Sequence, residues 1–154
     1  MANYKTITNN KLELVKEPSN ILGCKIKRSE DIYDFLKQIY NPKTIDLKES
    51  FFVVLLNRAN NVIGYSEISQ GGVAGTVVDN KILFSTILKT TMACAIVLTH
   101  NHPSGQLQPS GADLKITRTI KQIGDLLEIT VLDHVIMTSD GYYSMADSGD
   151  LAGM

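Results

Sequence analysis

The stretch THNHPSGQLQPSGAD, residues Thr99 to Asp113, carries two histidines one residue apart, two prolines, two glycines and a closing aspartate. It follows the apolar run "CAIVL" and precedes a helical stripe, so it marks a strand, a loop and a helix start. A strand repeats every two residues, which projects His100 and His102 from one face and turns Asn101 away. Pro103, Gly105 and Pro109 keep the next segment out of regular structure, and Ser110 is suited to cap a helix whose first turn contains Asp113. The Asp113 carboxylate can return to the pair and complete a set of two histidines and one aspartate, leaving the fourth tetrahedral position to water.

Zinc in such a set lowers the pKa of water from about 15.7 to roughly 7, on the order of 12 kcal/mol at about 1.36 kcal/mol per unit. A base must still collect the proton. Glu67 in "GYSEISQGG" is the candidate, because a charge midway along an apolar strand wants a polar destination; an exposed position on an edge strand explains it equally. Ser110 is either a plain helix cap or also a hydrogen-bond donor to a reaction intermediate. Asp133 and His134 lie on opposite faces of an apolar strand, where each needs a partner; either can orient a ligand histidine or make a purely structural bond.

Outward from the loop, Ala112, Ile116, Ile120 and Ile123 form one stripe of a helix that Gly124 can end from the left-handed conformation. "EITVLDHVIM" is apolar on both faces, an inner strand, and Asp140-Gly141 turns the chain into "YYSM". Upstream, "FFVVLLNR" and "VIGYSEIS" read as a hairpin with its turn at Asn60-Asn61. "NKILFSTILKTT" pairs Leu83 with Ile87 and Phe84 with Leu88 at helical spacing. Residues 1–50 form an N-terminal extension packed on the core. It has a short strand from Lys11 to Lys16 and one helix, with Ile32, Phe35, Leu36 and Ile39 on one side, Ser29 as cap and Pro42 as stop. Residues 51–154 form the main domain. The element order predicts an α/β fold, a mixed, mostly antiparallel sheet flanked by helices.

The 154 residues fit a single core, and 44% hydrophobic with 20% charged residues and a net charge of -1 call for neither a polyanionic partner nor a membrane. Cys24 and Cys94 are far apart, and Cys94 reads as a buried thiol of a reducing compartment. With a polar opening and no apolar stretch near 18 residues, the expected location is the cytoplasm.

Glu67, His100, His102, Pro103, Ser110 and Asp113 together resemble the JAB/MPN metalloenzyme superfamily and its JAMM signature. "HNHPSG", "PSGAD", "VLDH" and "YYS" are similar to the RadC-like branch of bacterial JAB-domain proteins, over roughly Phe51 to Leu151. The resemblance implies a cytidine-deaminase-like three-layer fold, Zn2+ on His100, His102 and Asp113, water activated by Glu67, and Ser110 aiding the oxyanion. It also implies metal-assisted hydrolysis of a peptide or isopeptide carbonyl, with a peptide or protein substrate and a historical DNA-repair association. Where the family often has Asp-Pro-Arg before its first core helix, this chain has Asp79, Asn80 and Lys81.

The alternative is a nucleic-acid-associated binding or accessory module, in DNA repair or mobile-element biology, with a structural zinc. Net charge gives it no support, and residues 1–50 lack the glycine pattern of the helix-hairpin-helix region found in longer RadC-type chains. The literal "HNH" is not the nuclease motif, the P-C-x-x-C of zinc deaminases is missing, and "GGVAG" at Gly71 to Gly75 suits a flexible loop near the cleft better than a dinucleotide site.

Overall fold

The computed structural model describes residues 3–7, 11–15, 23–71 and 77–154, the first two segments by their backbone. The elements are β1 (Asn3–Ile7), β2 (Lys11–Val15), α1 (Ser29–Ile39), β3 (Glu49–Leu56), β4 (Val62–Gly71), α2 (Asn80–Ile87), β5 (Ala95–Asn101), α3 (Gly111–Leu126), β6 (Thr130–Met137) and β7 (Tyr142–Ser144), followed by a short 3-10 helix. The strands form one sheet in the order β2-β1-β4-β3-β5-β6-β7. β1 with β4 and β5 with β6 pair in parallel, and the other pairs are antiparallel.

Both faces of the inner strands are apolar because both are covered. Alternation along β3 sends Val54 and Leu56 toward α1, where Ile32, Phe35 and Leu36 meet them. It sends Phe51, Val53 and Leu55 to the other face, against Leu83, Phe84 and Ile87 of α2 and Ile120 of α3. The result is the expected three-layer α/β arrangement. Among the described residues no helix is long and apolar enough to cross a membrane. Residues 72–76, most of the glycine-rich stretch, lie outside the described residues, as does Lys16.

Several local expectations change for physical reasons. The hairpin turn runs from Asn57 to Asn61, with Asn60 at φ 59°, so it is longer than a two-residue turn. Arg28 occupies the cap position of α1, while Ser29 starts the helix and donates its hydroxyl to Asp147 at 2.5 Å. Leu88 is exposed at the end of α2, and Cys94 is half-buried. Gly124 lies inside α3, where a Cβ would come within 2.5 Å of the Ile129 carbonyl oxygen; the left-handed residue is Glu128 at φ 58°. Ala112 is exposed, and Thr117 is buried on the inner stripe with Ile120.

Two bulges set which side chains face α3. Register slips between Ile96 and Val97 of β5, so that Val97 pairs with Asp133 and Leu98 with His134. One residue of slip reverses every later side chain, and His134 therefore shares a face with Val131 despite their odd separation. The second bulge lies at Ile68 of β4, where Phe51 pairs with Ser69 but Phe52 with Glu67.

Candidate metal centre

β5 ends on the α3 face with His100 and hands the chain to His102 just beyond it. The Nε2 atoms of the two rings stand 2.9 Å apart. The first turn of α3 brings Asp113 to them, with Oδ1 at 3.2 Å from His100 Nε2 and Oδ2 at 3.5 Å from His102 Nε2. His100, His102 and Asp113 thus offer one ligand atom each, all within 4.8 Å of one another, and form a group that can hold a metal ion.

Hydrogen bonds dictate which ring nitrogens carry protons. The Asp113 carbonyl only accepts, so the Thr117 hydroxyl 2.6 Å away donates its single proton there. His134 Nδ1, 2.5 Å from Thr117 Oγ1, must then be the N–H that donates to it. Burial first, and the neighbouring His100 second, hold His134 well below the ordinary imidazole range. His134 is therefore neutral, and its Nε2 accepts from His100 Nδ1–H at 2.8 Å. That leaves the lone pair of His100 Nε2 facing Asp113 and His102. On the other ring, His102 Nδ1–H donates to the Gln106 carbonyl at 2.7 Å, which turns its Nε2 lone pair to the same point.

Two nitrogen lone pairs and a carboxylate converging in a largely buried space repel one another unless a cation joins them. The titration of the group has the same cause. The Asp113 carboxylate holds the His102 imidazole above its ordinary range against the effect of burial, with the Gln106 carbonyl and the Glu49 charge adding to the rise. Burial would raise the Asp113 carboxyl, but its contacts with the His100 and His102 imidazoles outweigh that and hold it well below the usual carboxylate range.

Ser110 caps α3 and positions the Asp113 carboxylate at the same time. Its N–H and hydroxyl each donate to Asp113 Oδ2 at 2.7 Å, and Asp113 N–H returns to Ser110 Oγ at 3.1 Å. The hydroxyl proton is thus directed at Asp113. Asp133 lies outside this cluster: its carboxylate takes bonds from the Ser144 hydroxyl at 2.6 Å and from the His134 and Ala146 amides. It holds β7 and the following turn, and burial raises its carboxyl above the ordinary value.

Glu67 is not brought to the histidines. Opposed residues of an antiparallel pair share a face, and Glu67 opposes Phe52, which packs on the α1 side. Its carboxylate accepts from Gln70 Nε2 at 2.7 Å, and it lines a cavity of about 200 Å³ with Tyr40 and Asn101 on the reverse of the sheet. Regular continuation of the Phe51–Ser69 pairing would set Glu67 opposite Val53, on the histidine face; the bulge at Ile68 turns it away.

The carboxylate on the histidine face is Glu49, which the sequence analysis passed over. It precedes Phe51 by two residues, Phe51 opposes His100, and their rings stack with centroids 6.0 Å apart. Glu49 lines both cavities at the centre: one of about 440 Å³ with His102, Gln106 and Ser110, and one of about 250 Å³ with Phe51, His100, Asp113 and Ile116. The signal in the sequence is the alternation of Glu49, Phe51, Val53 and Leu55, which includes the acid only when the strand begins at Glu49 and not at Phe51.

The RadC-like JAB domain family model matches residues 26–150. Similar proteins include a UPF0758 protein of Flavobacterium johnsoniae, 42% identical over 125 residues, covering 81% of this chain and 53% of that protein. One from Alkaliphilus metalliredigens is 41% identical over 129 residues, 84% of this chain and 54% of that protein. One from Chlorobaculum parvum is 33% identical over 126 residues, 82% of this chain and 55% of that protein. The chain spans about half the length of the curated relatives it matches.

Proposed function

The chain belongs to the RadC-like JAB domain family, and we propose that it is a zinc-dependent hydrolase in which water attacks the carbonyl carbon of a peptide-type amide. The observation that carries this is the convergence of His100 Nε2, His102 Nε2 and the Asp113 carboxylate beside two cavities, with Glu49 lining both. Three protein ligands of nitrogen and oxygen with one side open suit catalytic zinc. Bonds of about 2.0–2.1 Å in a tetrahedron separate ligand atoms by roughly 3.3 Å, in keeping with the observed 2.9, 3.2 and 3.5 Å. Bound there, zinc would polarise the carbonyl and bring the pKa of water toward about 7.

The remaining work falls to the chain's own residues. Glu49 receives the proton of the attacking water and delivers it to the leaving amine. Ser110 keeps Asp113 turned toward the histidines. Phe51, Val78 and Ile116 exclude water on one side and accept an apolar side chain. On the other side Asp46 and Glu49 line the cleft, and among the described residues no lysine or arginine does. That charge favours a polypeptide over a nucleic-acid strand, whose phosphates need cationic partners.

The test compares zinc-loaded wild-type protein with Glu49→Gln and Glu67→Gln on quenched-fluorescence peptides and on labelled DNA. Peptide hydrolysis is expected, with Glu49→Gln keeping its zinc and losing about 10²–10⁴ in kcat, and Glu67→Gln unchanged. Full turnover by Glu49→Gln removes it from the mechanism, and cleavage of DNA alone removes the amide substrate.

A further inference from the structure

We propose that Asn101, the residue between the two histidines, is a positioning residue that sets where Glu49 stands over the metal centre; this rests on the hydrolase assignment above. Asn101 is 1% exposed, and its side chain leaves the sheet on the face opposite His100. Its Nδ2 donates to the carbonyls of Ile45 at 2.6 Å and Lys48 at 2.8 Å, and its Oδ1 accepts the Ser50 amide at 2.8 Å. Two donors and one acceptor are thus all committed to one short segment, the turn that leads into β3 and carries Asp46, Leu47 and Glu49.

The placement matters because the β3–β5 ladder stops at Phe51 and His100. Ser50 and Glu49 extend beyond it. The Asn101 amide takes over where backbone pairing to β5 ends, bonding the Ser50 N–H in place of a strand carbonyl and fixing the carbonyls of Ile45 and Lys48, which flank Asp46 and Leu47. One strand end therefore presents the ligands on one face and grips the base-bearing segment from the other. β4 holds the other edge of β3 as far as Glu49 and Gly71, and on the β5 side the distance from Glu49 to the histidines is set through Asn101. A primary amide of this length meets the demand: aspartate has no donors for Ile45 and Lys48, and the extra methylene of glutamine would carry the amide past its three partners.

The zinc-loaded full chain tests this with Asn101→Ala, Asn101→Asp, Glu49→Gln and the double variant Asn101→Asp/Glu49→Gln. Folding is followed by near-ultraviolet circular dichroism, zinc by stoichiometry, and the clamp by amide hydrogen exchange. Asn101→Ala is expected to keep its zinc and the protection of Val97 and Leu98 while the Ser50 amide exchanges roughly tenfold faster or more. Asn101→Asp, which keeps the side-chain shape should the alanine variant fail to fold, is expected to lose about 10²-fold in kcat on the fluorogenic peptides. Adding Asn101→Asp to Glu49→Gln is expected to cost no further rate, since the one acts through the other. Unchanged Ser50 exchange in a folded Asn101→Ala, or losses of the two variants that multiply, overturns the proposal. Absence of any hydrolysis by the wild type removes the hydrolase assignment instead, and the clamp then stands or falls on the Ser50 exchange.

Discussion

His134 Nε2 lies 2.8 Å from His100 Nδ1, so a buried imidazole outside the candidate ligand set decides which nitrogen of His100 faces His102 and Asp113. The decision is passed along from the carbonyl of Asp113 through the Thr117 hydroxyl. The backbone of one candidate ligand therefore sets the tautomer of another.

Thr117→Val keeps the shape of the side chain and removes that hydroxyl. The expected outcome is a loss of about 10–100-fold in zinc affinity, read by competition with a chromophoric chelator, with the fold retained. An affinity within about twofold of wild type would show that the tautomer is set some other way.

Acid sensitivity has a sign that can be worked out from His134. Burial and the His100 neighbour push its folded-state value well below 6.5. Its contribution to stability is present above the unfolded value and lost as pH falls through it, because the unfolded chain then binds a proton that the folded one refuses. Urea unfolding of metal-depleted wild type against His134→Gln is expected to show the difference shrinking by about 1.4 kcal/mol per pH unit below 6.5. His102, which is shifted upward and works in the opposite sense, is present in both proteins. A difference that stays flat with pH would mean that His134 titrates alike in both states.

Ser110→Ala removes a helix cap and a hydrogen bond to a candidate ligand in one step. The cap is worth about 1 kcal/mol, or roughly 2–4 °C of Tm in a chain of this size. Weaker zinc binding should accompany the drop, because Asp113 Oδ2 loses one of its donors. Ser110→Thr, measured beside it by calorimetry, is expected to preserve both properties.

Gly124→Ala inverts a common rule. Within a helix alanine is favoured over glycine by about 1 kcal/mol, yet here the new Cβ would meet the Ile129 carbonyl oxygen at 2.5 Å. The expected result is destabilisation of about 1–3 kcal/mol in chemical unfolding. Any gain in stability would contradict the close approach of α3 to the start of β6.

What depends on short-range periodicity can be read from the order of residues alone. The spacing of His100 and His102 on a strand end, Ser110 and Asp113 in the first turn of α3, and the doubly apolar β3, β5 and β6 each follow from a repeat of 2 or 3.6 residues that holds within one element. The mixed sheet flanked by helices and the approach of the three candidate ligands were legible for that reason. Tertiary structure alone decided the acid facing them. Glu49 and Glu67 are both carboxylates on neighbouring strands, and which one faces α3 depends on where β3 begins and on the bulge at Ile68. The same holds for His134, aimed at His100 by the register slip between β5 and β6. A bulge is one extra residue whose position is set by how two strands pair, and no window of a single strand contains that information.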